Sequence, residues 1–421
     1  MKELLRIRDA RIALSARAVS QLGDAMTLIA LSILIAQTGQ PLDLTVLLVA
    51  FAAPVVALSS WAGRLVDTRD SRTLLTGAAL VQVAGSAGLL ASTSLGWQVA
   101  CILVIQSGQA VAGPGWGALL PRIVGEGQIG RAIGLQQALG SAAWLAGTAL
   151  GGLSFAAVGF RGVILLDTLA FAALVGAALT VRTHRAGVGP GATSLAPDRA
   201  DSTSSLESGW RILRRDRVSG LVVAGLVLFV IALEGTNVVE AFLVIDVLGA
   251  GPAAYGLLGL CLGTGVTVGS VLCTRIDGDR RRIAVLSAAA GTLGLTIAAS
   301  GLVGSVAWLY PLFGVAGLAN GFINGLGFAL VVGRTADAAR GRVLAAAMGT
   351  IRGGSVVSLL VAGVAAGWYG PRAVFVGAGL LTVTVAPVLL LARGRRAWAG
   401  QGEGADVSPC LTGVDVVEPA A

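Results

Sequence analysis

Twelve apolar runs, most of about 20 residues, follow one another along the chain and are separated by short turns that hold most of its charge. A helix needs about 20 residues to cross the hydrocarbon core of a bilayer. Only helices and closed barrels satisfy their backbone hydrogen bonds in lipid, and these runs are too long for barrel strands. Charged residues make up 12% of the chain, against about 25% in soluble domains. The sequence therefore predicts an all-α membrane protein with twelve transmembrane helices.

The apolar runs fall into two sets of six. The first set lies near residues 12–37, 43–62, 73–93, 97–120, 131–157 and 161–181. The second set lies near residues 218–245, 253–273, 283–303, 306–332, 343–367 and 372–392. This arrangement predicts an N-terminal six-helix bundle over residues 1–182, a cytoplasmic linker with a short interfacial helix over 183–216, a C-terminal six-helix bundle over 217–395 and a disordered cytoplasmic tail over 396–421.

A charged turn occurs at the same place in both sets of runs. The turn after the second run holds Asp67 and Arg72, and the turn after the eighth run holds Asp277 and Arg282 at the same separation. A repeated loop of this kind in two apolar halves is typical of a duplicated membrane protein. The two predicted bundles are therefore expected to be pseudo-symmetric.

The first of these turns resembles the signature between the second and third helices of the major facilitator superfamily. Gly63, Leu65, Asp67 and Arg72 match that signature, and Arg69 stands in for its missing arginine. The resemblance implies that Asp67 pairs across the gap between the two halves in one conformer and releases in the other. A solvated cytoplasmic turn would carry the same charges. The candidate conformational gate comprises Gly63, Asp67, Arg69, Arg72, Asp277 and Arg282.

Further stretches resemble the enterobactin-exporter-like and macrolide-efflux-like branch of that superfamily. They begin at Ser20, Ala118, Gly209, Tyr255 and Arg340, in the order expected for the branch. The resemblance implies the major facilitator fold, with two six-helix bundles around a central cavity. It also implies export of amphipathic small molecules in exchange for protons. The arginine of the fourth-span antiporter motif and the proline of the fifth-span motif are missing, so proton coupling rests on the resemblance alone.

Arginine placement predicts the orientation of the helices. The turns after even-numbered runs hold most of the arginines, whereas the odd-numbered turns hold only Arg161 and Arg372. Cytoplasmic loops carry an excess of Lys and Arg. Both termini are therefore predicted to be cytoplasmic, with the protein in the inner (plasma) membrane of the cell.

Polar residues inside the first run form a candidate functional stripe, because ionisable residues in a bilayer are costly. Arg17, Ser20, Gln21, Asp24 and Thr27 follow helical spacing. By the family resemblance, this helix lines the central cavity. Asp24 is the first candidate for a proton-binding carboxylate, because burial favours the neutral form of a carboxyl group. A structural carboxylate paired with Arg17 is the alternative.

The seventh run carries Glu234, Asn237 and Glu240 at intervals of three, so they share a broad helix face. Two carboxylates on one cavity wall suit either proton exchange or a cationic substrate. Glu240 could instead lie near the outer surface and be hydrated. Arg352 lies about 15 Å deep in the eleventh run. It would neutralise Glu234, meet an anionic group of the substrate, or form a salt bridge inside the second bundle. Asp167, near the outer surface, is interpreted as structural.

Amide and aromatic side chains extend the predicted lining of the cavity. Asn320 and Asn324 lie one turn apart in the tenth run and could hydrogen-bond a ligand, although neighbouring glycines equally favour close helix packing. Gln106 in the fourth run and Gln136 in the fifth are further candidates. Trp144 could stack on a flat ligand or belong to the core.

The sequence argues against several other classes of function. The chain has one histidine, and its four cysteines form no CxxC pair, so no metal site is predicted. No Walker A sequence or nucleophile elbow is present, so neither an enzyme nor a cofactor is expected. The formal charge of +8 is explained by arginines in cytoplasmic turns rather than by nucleic acid binding.

The sequence thus predicts a secondary active transporter that performs proton-coupled efflux of amphipathic small molecules by alternating access. Its expected partners are a small-molecule substrate, protons and the lipid bilayer, and the family resemblance implies a monomer. The alternatives are an uptake symporter for a small polar nutrient and a non-transporting membrane sensor or enzyme. The mostly apolar lining favours export over uptake.

Overall fold

The computed structural model describes residues 6–125, 128–183, 211, 217–335 and 340–391, in which the regular elements are helices. In chain order these are α1 Arg8–Thr38, α2 Pro41–Ala57, α3 Ser59–Thr68, α4 Ser71–Gly88, α5 Leu95–Val124, α6 Ile129–Thr180, α7 Arg217–Phe242, α8 Pro252–Cys273, α9 Asp279–Leu302, α10 Val306–Gly333 and α11 Arg340–Leu391. Helix α7 continues into a π-helical turn, Leu243–Val247. We refer to α1–α6 as the first half and to α7–α11 as the second half. Most of the predicted linker and all of the predicted tail lie outside the described residues.

The described helices are suited to a membrane by length and composition. Eight of them are long and apolar enough to cross a bilayer, or nine if α2 and α3 are counted as one bent span. Their outer faces carry many large exposed apolar side chains, such as Leu169, Leu302 and Trp368. A surface of this kind requires an apolar solvent.

Helices α6 and α11 are each 52 residues long and are interrupted by one glycine. A straight helix of that length would measure about 78 Å, more than twice the thickness of the hydrocarbon core. Gly159 has φ 68° and ψ −178°, and Gly370 has φ 78° and ψ 165°. Residues with a side chain rarely adopt these angles. The glycines therefore permit a sharp change of direction in both helices.

The two segments of α6 on either side of its break lie side by side. Gly147 of the first segment packs on Leu22 of α1, whereas Asp167 of the second segment packs on Gly23, the next residue of α1. Positions about 20 residues apart in α6 thus meet adjacent positions of α1. A straight helix would separate those positions by about 30 Å, so the chain reverses direction at the break.

Helix α11 reverses direction in the same way. Its first segment contacts α7 where Gly354 meets Ile231, and its second segment contacts α7 where Leu389 meets Gly225. Both breaks fall in gaps between predicted apolar runs, namely between the fifth and sixth runs and between the eleventh and twelfth.

The second predicted run is bent rather than straight. Helices α2 and α3 are separated at Leu58 and differ in direction by 52°. Pro54 lies one turn before the bend, where a proline removes a backbone hydrogen bond. Helix α3 then continues to Thr68, through most of the stretch that the sequence places in a charged turn. The turn itself is reduced to Arg69 and Asp70, and Asp70 caps α4 by accepting hydrogen bonds from two backbone amides.

One end of the helices carries many of the arginines, and we call it the arginine-rich end. In the second half, Arg334 Nη1 at the end of α10 lies 3.1 Å from Asp279 Oδ2 at the start of α9. The arginine side chain is only 7% exposed there, so this ion pair ties two helix ends together. The described arginines at this end include Arg64, Arg69, Arg72, Arg122, Arg131, Arg182, Arg275, Arg280, Arg281, Arg282 and Arg334.

Two contacts within the first half join its helix ends at the arginine-rich end. Asp9 Oδ2 of α1 accepts hydrogen bonds from the backbone nitrogen of Thr183 at 2.8 Å and from its hydroxyl at 2.7 Å. Arg72 Nη2 of α4 donates to the carbonyl oxygen of Leu179 at 2.7 Å. Both contacts hold the end of α6 against the start of another helix. The contact of Arg72 also supplies a donor to one of the last carbonyl groups of α6, which lack intrahelical partners.

Candidate functional site

The two halves approach each other closely where α6 packs on α8. A Cβ atom added to Gly152 would lie 2.7 Å from the Cα atom of Gly256, and one added to Gly256 would lie 2.9 Å from the Cα atom of Gly152. Only glycine at both positions permits this approach of the two backbones. One turn further along α8, Gly259 packs on Thr148. These contacts lie near the start of α8 and the break of α6, remote from the arginine-rich end.

A second contact between the halves joins α2 to α11. The Thr45 side chain is fully buried, and its Oγ1 lies 3.4 Å from the carbonyl oxygen of Leu359. Gly363, one turn further along α11, leaves room for the threonine. Thr45 lies in the first turns of α2, again remote from the arginine-rich end. The halves therefore pack together at the opposite end of the molecule.

A cavity of about 480 Å³ lies beside α6 and α8, on the side of the contact between Gly152 and Gly256 that is nearer the arginine-rich end. We call it the interhalf cavity; Gln21, Gln137 and Trp144 line it from the first half, and Gly259 and Thr267 from the second. Its volume suits a drug-sized ligand, for which a few polar groups on a largely apolar wall are typical. Trp144 is 45% exposed, so its ring is available for stacking.

A larger cavity of about 790 Å³ lies beside the bend between α2 and α3. Its lining is almost wholly apolar and includes Trp61, Leu65 and Val81, with Arg69 at one end. The lining residues all belong to the first half. A movement of one half against the other would therefore leave this cavity unchanged, whereas it would open or close the interhalf cavity.

Helices α1 and α6 each bury one carboxyl group, Asp24 and Asp167, near the point where the two helices pack together at Gly23, and we call these residues the carboxyl pair. Asp24 and Asp167 are only 9% and 1% exposed. Asp167 Oδ2 accepts a hydrogen bond from Ser86 Oγ of α4 at 2.9 Å, and its Oδ1 lies against Gly23, the neighbour of Asp24. From the sequence, Asp167 is interpreted as a structural residue near the outer surface, and its packing on Gly23 of α1 is not predicted. In the sequence, the polar residues Ser86 and Thr168 also interrupt apolar runs, and this is the feature that could have indicated their contact with Asp167.

The predicted polar stripe of α1 is divided between two environments. Gln21 lines the interhalf cavity, whereas Asp24 is buried and does not line it. Arg17 Nη1 lies 3.5 Å from the carbonyl oxygen of Gly113 in α5. No described ion pair joins Arg17 to Asp24. The two residues are seven positions apart, about 10 Å along the helix axis, and the guanidinium group of Arg17 lies towards α5 instead.

The predicted polar residues of α7 lie in two places. Asn237 Nδ2 donates a hydrogen bond to Glu234 Oε2 at 3.0 Å, so the amide and the carboxylate are bound to each other. Glu240 is half-buried near Tyr255 of α8, which is itself buried. The side chain of Arg352, the predicted partner of Glu234, lies outside the described residues.

The predicted amide residues are only partly accessible. Asn324 Nδ2 of α10 donates hydrogen bonds to the side-chain and carbonyl oxygens of Asn320. Asn320 is buried and Asn324 exposed. Gln106 is buried in α5. In α6 it is Gln137, the neighbour of the predicted Gln136, that lines the interhalf cavity.

The first copy of the predicted gate lies on α3 and at the start of α4. Gly63 and Asp67 are partly exposed on α3, and Arg69 lines the apolar cavity beside the bend. Arg72 is bound to the carbonyl oxygen of Leu179 within the first half. This arginine therefore fastens two helices of its own half in the conformer described here.

The second copy of the predicted gate is more open to solvent. Arg282 Nη2 lies 4.0 Å from Asp277 Oδ1, and the aspartate side chain is 94% exposed. A pair of this kind contributes little to stability. Arg282 Nε also donates to the carbonyl oxygen of Ile276 at 3.0 Å, which fixes the turn between α8 and α9.

The helical architecture and the sequence both correspond to one known family. The family model of the Major Facilitator Superfamily matches residues 13–276 and 234–414. The chain belongs to the Major Facilitator Superfamily. As a superfamily member it is a multi-pass membrane transporter and not an enzyme, as the sequence predicted.

Curated relatives of this superfamily member are distant. The uncharacterized MFS-type transporter YfiS of Bacillus subtilis (strain 168) is 26% identical over 398 residues, which cover 90% of this chain and 92% of that protein. Macrolide efflux protein A of Enterococcus faecalis is 24% identical over 246 residues, covering 57% of this chain and 74% of that protein. Macrolide efflux protein A of Streptococcus pyogenes is 24% identical over 273 residues, covering 63% and 66%.

Solved structures share the fold of this superfamily member at low sequence identity. The nucleoside transporter NupG superposes with a TM-score of 0.71 and 14% identity, covering 91% of this chain and 98% of NupG. A bacterial homologue of the human lysosomal transporter Spinster, in an inward-facing and unoccupied conformation, gives a TM-score of 0.62 and 13% identity, covering 93% and 98%. These similarities establish the fold and leave the substrate open.

Proposed function

We propose that the chain forms twelve transmembrane helices in two six-helix bundles. The reversals at Gly159 and Gly370 divide α6 and α11 into two spans each, and the bent pair α2–α3 supplies one. When α4 (Ser71–Gly88), which was not among the eight helices counted above, is included as a span, each half has six spans. The bundles comprise residues 1–182 and 217–395, with the cytoplasmic linker over 183–216 and the cytoplasmic tail over 396–421.

The arginine-rich end faces the cytoplasm in this proposal, because arginine is enriched in cytoplasmic turns. Both termini are then cytoplasmic, and the protein lies in the plasma membrane. The contacts of Gly152 with Gly256 and of Thr45 with Leu359 close the side remote from the cytoplasm. The interhalf cavity lies on the cytoplasmic side of these contacts, so the described conformer corresponds to an inward-facing state.

The protein functions, in our proposal, as a proton-coupled exporter of amphipathic small molecules that works by alternating access. The single observation that carries this proposal is the interhalf cavity, which combines an exposed tryptophan with amide groups and lies next to tight contacts between the halves. If the contacts of Gly152 and Thr45 opened while the two halves closed together at the arginine-rich end, a bound molecule would be transferred across the membrane. Trp144 would stack on the apolar part of the molecule, and Gln21 and Gln137 would bind its polar groups.

Proton coupling is assigned to a buried carboxyl group rather than to the cavity wall. Asp24 lies in α1 one turn from Gln21, so movement of α1 can link its protonation to the state of the cavity. Glu234 and Glu240 are further candidates on α7. The two macrolide efflux relatives support export as the direction, although their identity to this chain is only 24%. The working unit is a monomer.

A drug susceptibility screen tests the proposed function. Cells with and without the protein are exposed to macrolides, other amphipathic antibiotics and lipophilic dyes. We expect reduced susceptibility to at least one compound, and collapse of its efflux when an uncoupler dissipates the proton gradient. Efflux that persists with the uncoupler would contradict proton coupling.

Direction of flux separates export from nutrient uptake. In everted membrane vesicles, a proton gradient that is acidic inside should drive accumulation of the compound identified in the screen. An uptake symporter would not accumulate it under this gradient. If purified protein in liposomes moves no compound while the cellular phenotype persists, the protein is a sensor and the transport proposal is wrong.

Replacement of Trp144 by alanine is expected to weaken binding of the identified compound. Aromatic stacking contributes about 0.5–1.5 kcal/mol, so the Kd should rise about 2- to 13-fold. Binding to purified protein is measured by titration. Trp308→Ala is the matched control, because Trp308 is 67% exposed on α10 and does not line the interhalf cavity. An equal effect of both substitutions would contradict the assignment of the cavity.

A further inference from the structure

The cavity of about 790 Å³ beside the bend is separate from the interhalf cavity, and the proposed transport cycle does not use it. Trp61 and Leu65 line it from α3, and Thr73, Gly77 and Val81 line it from α4. Positions four residues apart share one face of a helix, so each helix presents a single face to the cavity. Both helices pack on α5, which also contributes to the lining. We call this cavity the α3–α4 groove.

The groove has nearly the length of one lipid leaflet. Trp61 and Arg69 are eight positions apart along α3, as are Thr73 and Val81 along α4, and eight helical residues rise about 12 Å. The hydrocarbon core of a bilayer is about 30 Å thick, so one leaflet contributes about 15 Å. The groove therefore extends from the arginine-rich end through most of one leaflet, which is the depth that an acyl chain occupies.

The open side of the groove is apolar. Trp61 is 50% exposed and Val81 41% exposed, and an added Cβ at Gly77 would have no atom within 4 Å. Ser107 of α5 also lines the groove, but its hydroxyl donates to the carbonyl oxygen of Leu103 at 2.7 Å. Exposed apolar surface on a transmembrane helix meets the acyl chains of the bilayer. The wall of the groove thus suits a hydrocarbon chain.

The end of the groove at the membrane surface carries a positive charge. Arg69 lines the groove there and is exposed. The carboxylate of Asp70 accepts hydrogen bonds from the backbone nitrogens of Arg72 and Thr73 at 3.0 and 3.2 Å, so it is engaged in capping α4. The side chain of Arg72 is bound to the end of α6, and Asp67 does not line the groove. Arg69 is therefore the cation that the groove presents at the level of the lipid headgroups.

We propose that the α3–α4 groove binds one anionic phospholipid, with an acyl chain along its apolar wall and the headgroup phosphate at Arg69. An acyl chain gains little by leaving other lipids for an apolar protein wall, so selectivity comes from the headgroup. A guanidinium group forms charge-assisted hydrogen bonds with phosphate oxygens, whereas the cation of a zwitterionic headgroup offsets this attraction. In the proposed orientation the lipid belongs to the cytoplasmic leaflet, whose surface is negative. The inference rests on the proposed function only for this choice of leaflet.

Native mass spectrometry of the purified full-length protein tests the headgroup. The protein is delipidated in detergent and titrated with phosphatidylglycerol or with phosphatidylcholine that carries the same acyl chains. We expect the first phosphatidylglycerol to bind about 5-fold more tightly, which corresponds to one arginine near a charged lipid surface. Arg69→Gln should remove this preference. Arg64→Gln is the matched control and should retain it, because Arg64 is exposed on α3 but does not line the groove.

A second variant tests the acyl chain. Gly77→Leu places a side chain in the groove without a clash inside the protein, because an added Cβ has no atom within 4 Å. This variant should fold and should lose the bound lipid whichever headgroup it carries. Gly176→Leu has equally open surroundings on α6 and should bind both lipids as the wild type does. Gel filtration and thermal unfolding verify that each variant is folded.

Several outcomes would contradict the lipid site. Equal affinity of the wild type for the two lipids, or a preference that survives Arg69→Gln, would remove the headgroup from Arg69. Unchanged binding in Gly77→Leu would remove the acyl chain from the groove. If glycerol 3-phosphate, which has no acyl chain, bound as tightly as phosphatidylglycerol, the site would be a phosphate site and not a lipid site. The titration uses neither a transported compound nor a proton gradient, so its failure and the failure of the proposed export are distinguishable.

Discussion

Replacement of Asp24 by asparagine should abolish uphill efflux and leave substrate binding intact. Asparagine has nearly the same shape as aspartate and cannot exchange a proton. In the proposed cycle, the carboxyl group of Asp24 must bind a proton on one side of the membrane and lose it on the other. Without that step, the proton gradient cannot drive the conformational change, and efflux should fall to the level of cells that lack the protein.

The measurement separates coupling from movement. Liposomes that contain Asp24→Asn should still exchange labelled for unlabelled compound across the membrane when no gradient is imposed. They should fail to accumulate the compound when a proton gradient is imposed, whereas wild-type liposomes do so. Loss of exchange as well as accumulation would indicate that Asp24 is needed for folding or for the conformational change itself. Normal accumulation would exclude Asp24 from coupling.

Asp246→Asn is the matched control for this substitution. Asp246 lies in the π-helical turn after α7 and is exposed. This substitution also replaces one carboxylate by an amide, so it matches the chemical change of Asp24→Asn but leaves Asp24 and Asp167 intact. We expect wild-type accumulation from this variant.

The apolar runs predicted the helical fold well because the bilayer restricts the possible structures. Long apolar runs can only become helices there, and such a run is recognised without knowing which helices it packs against. The hairpins of α6 and α11 were also visible as short interruptions around Gly159 and Gly370. The end of the second run was harder to predict. The chain bends after Pro54 and then remains helical to Thr68, through a stretch whose charged residues are typical of a turn.

The candidate site was less predictable because a helical pattern gives the face of a residue and not the helix opposite it. Gln21 and Asp24 belong to one stripe in the sequence, yet Gln21 lines the interhalf cavity, whereas Asp24 is buried next to Gly23, on which Asp167 packs. The pairing depends on which helix lies beside α1, and this is decided by close packing at small residues such as Gly23. Sequence periodicity contains no information on that choice.

The choice between Gln136 and Gln137 illustrates the same limit at finer scale. Both are polar residues of one apolar run, and only the second lines the interhalf cavity. Adjacent helical residues point about 100° apart. Which of them faces the cavity depends on the rotation of α6 about its axis, and packing of Gly147 and Gly152 against neighbouring helices fixes that rotation.

Replacement of Gly152 by leucine should shift the protein away from the conformer described here. A Cβ atom at this position would lie 2.7 Å from both the Cα and the nitrogen atom of Gly256. Backbone atoms cannot move aside as side chains do, so α6 and α8 must separate. Overpacking of this kind costs about 1–3 kcal/mol, which corresponds to about a 5- to 150-fold change in the ratio of two conformers.

Distances between spin labels report this shift directly. Labels at exposed positions on opposite halves, one pair near the arginine-rich end and one pair at the other end, give distance distributions for both sides. For Gly152→Leu, the pair at the arginine-rich end should move to shorter distances and the opposite pair to longer ones. Efflux should fall by a similar factor, because a cycle that rarely visits one conformer is slowed at that step.

Gly176→Leu separates this effect from the general cost of adding leucine to α6. Gly176 lies in the second segment of the same helix, is exposed, and has no atom within 4 Å of an added Cβ. In a bilayer its new side chain would meet lipid, so its distances and efflux should match those of the wild type. If Gly152→Leu also leaves both distance distributions unchanged, the contact with Gly256 does not close the transporter. The conformer would then have to be held by the packing of Thr45 against α11.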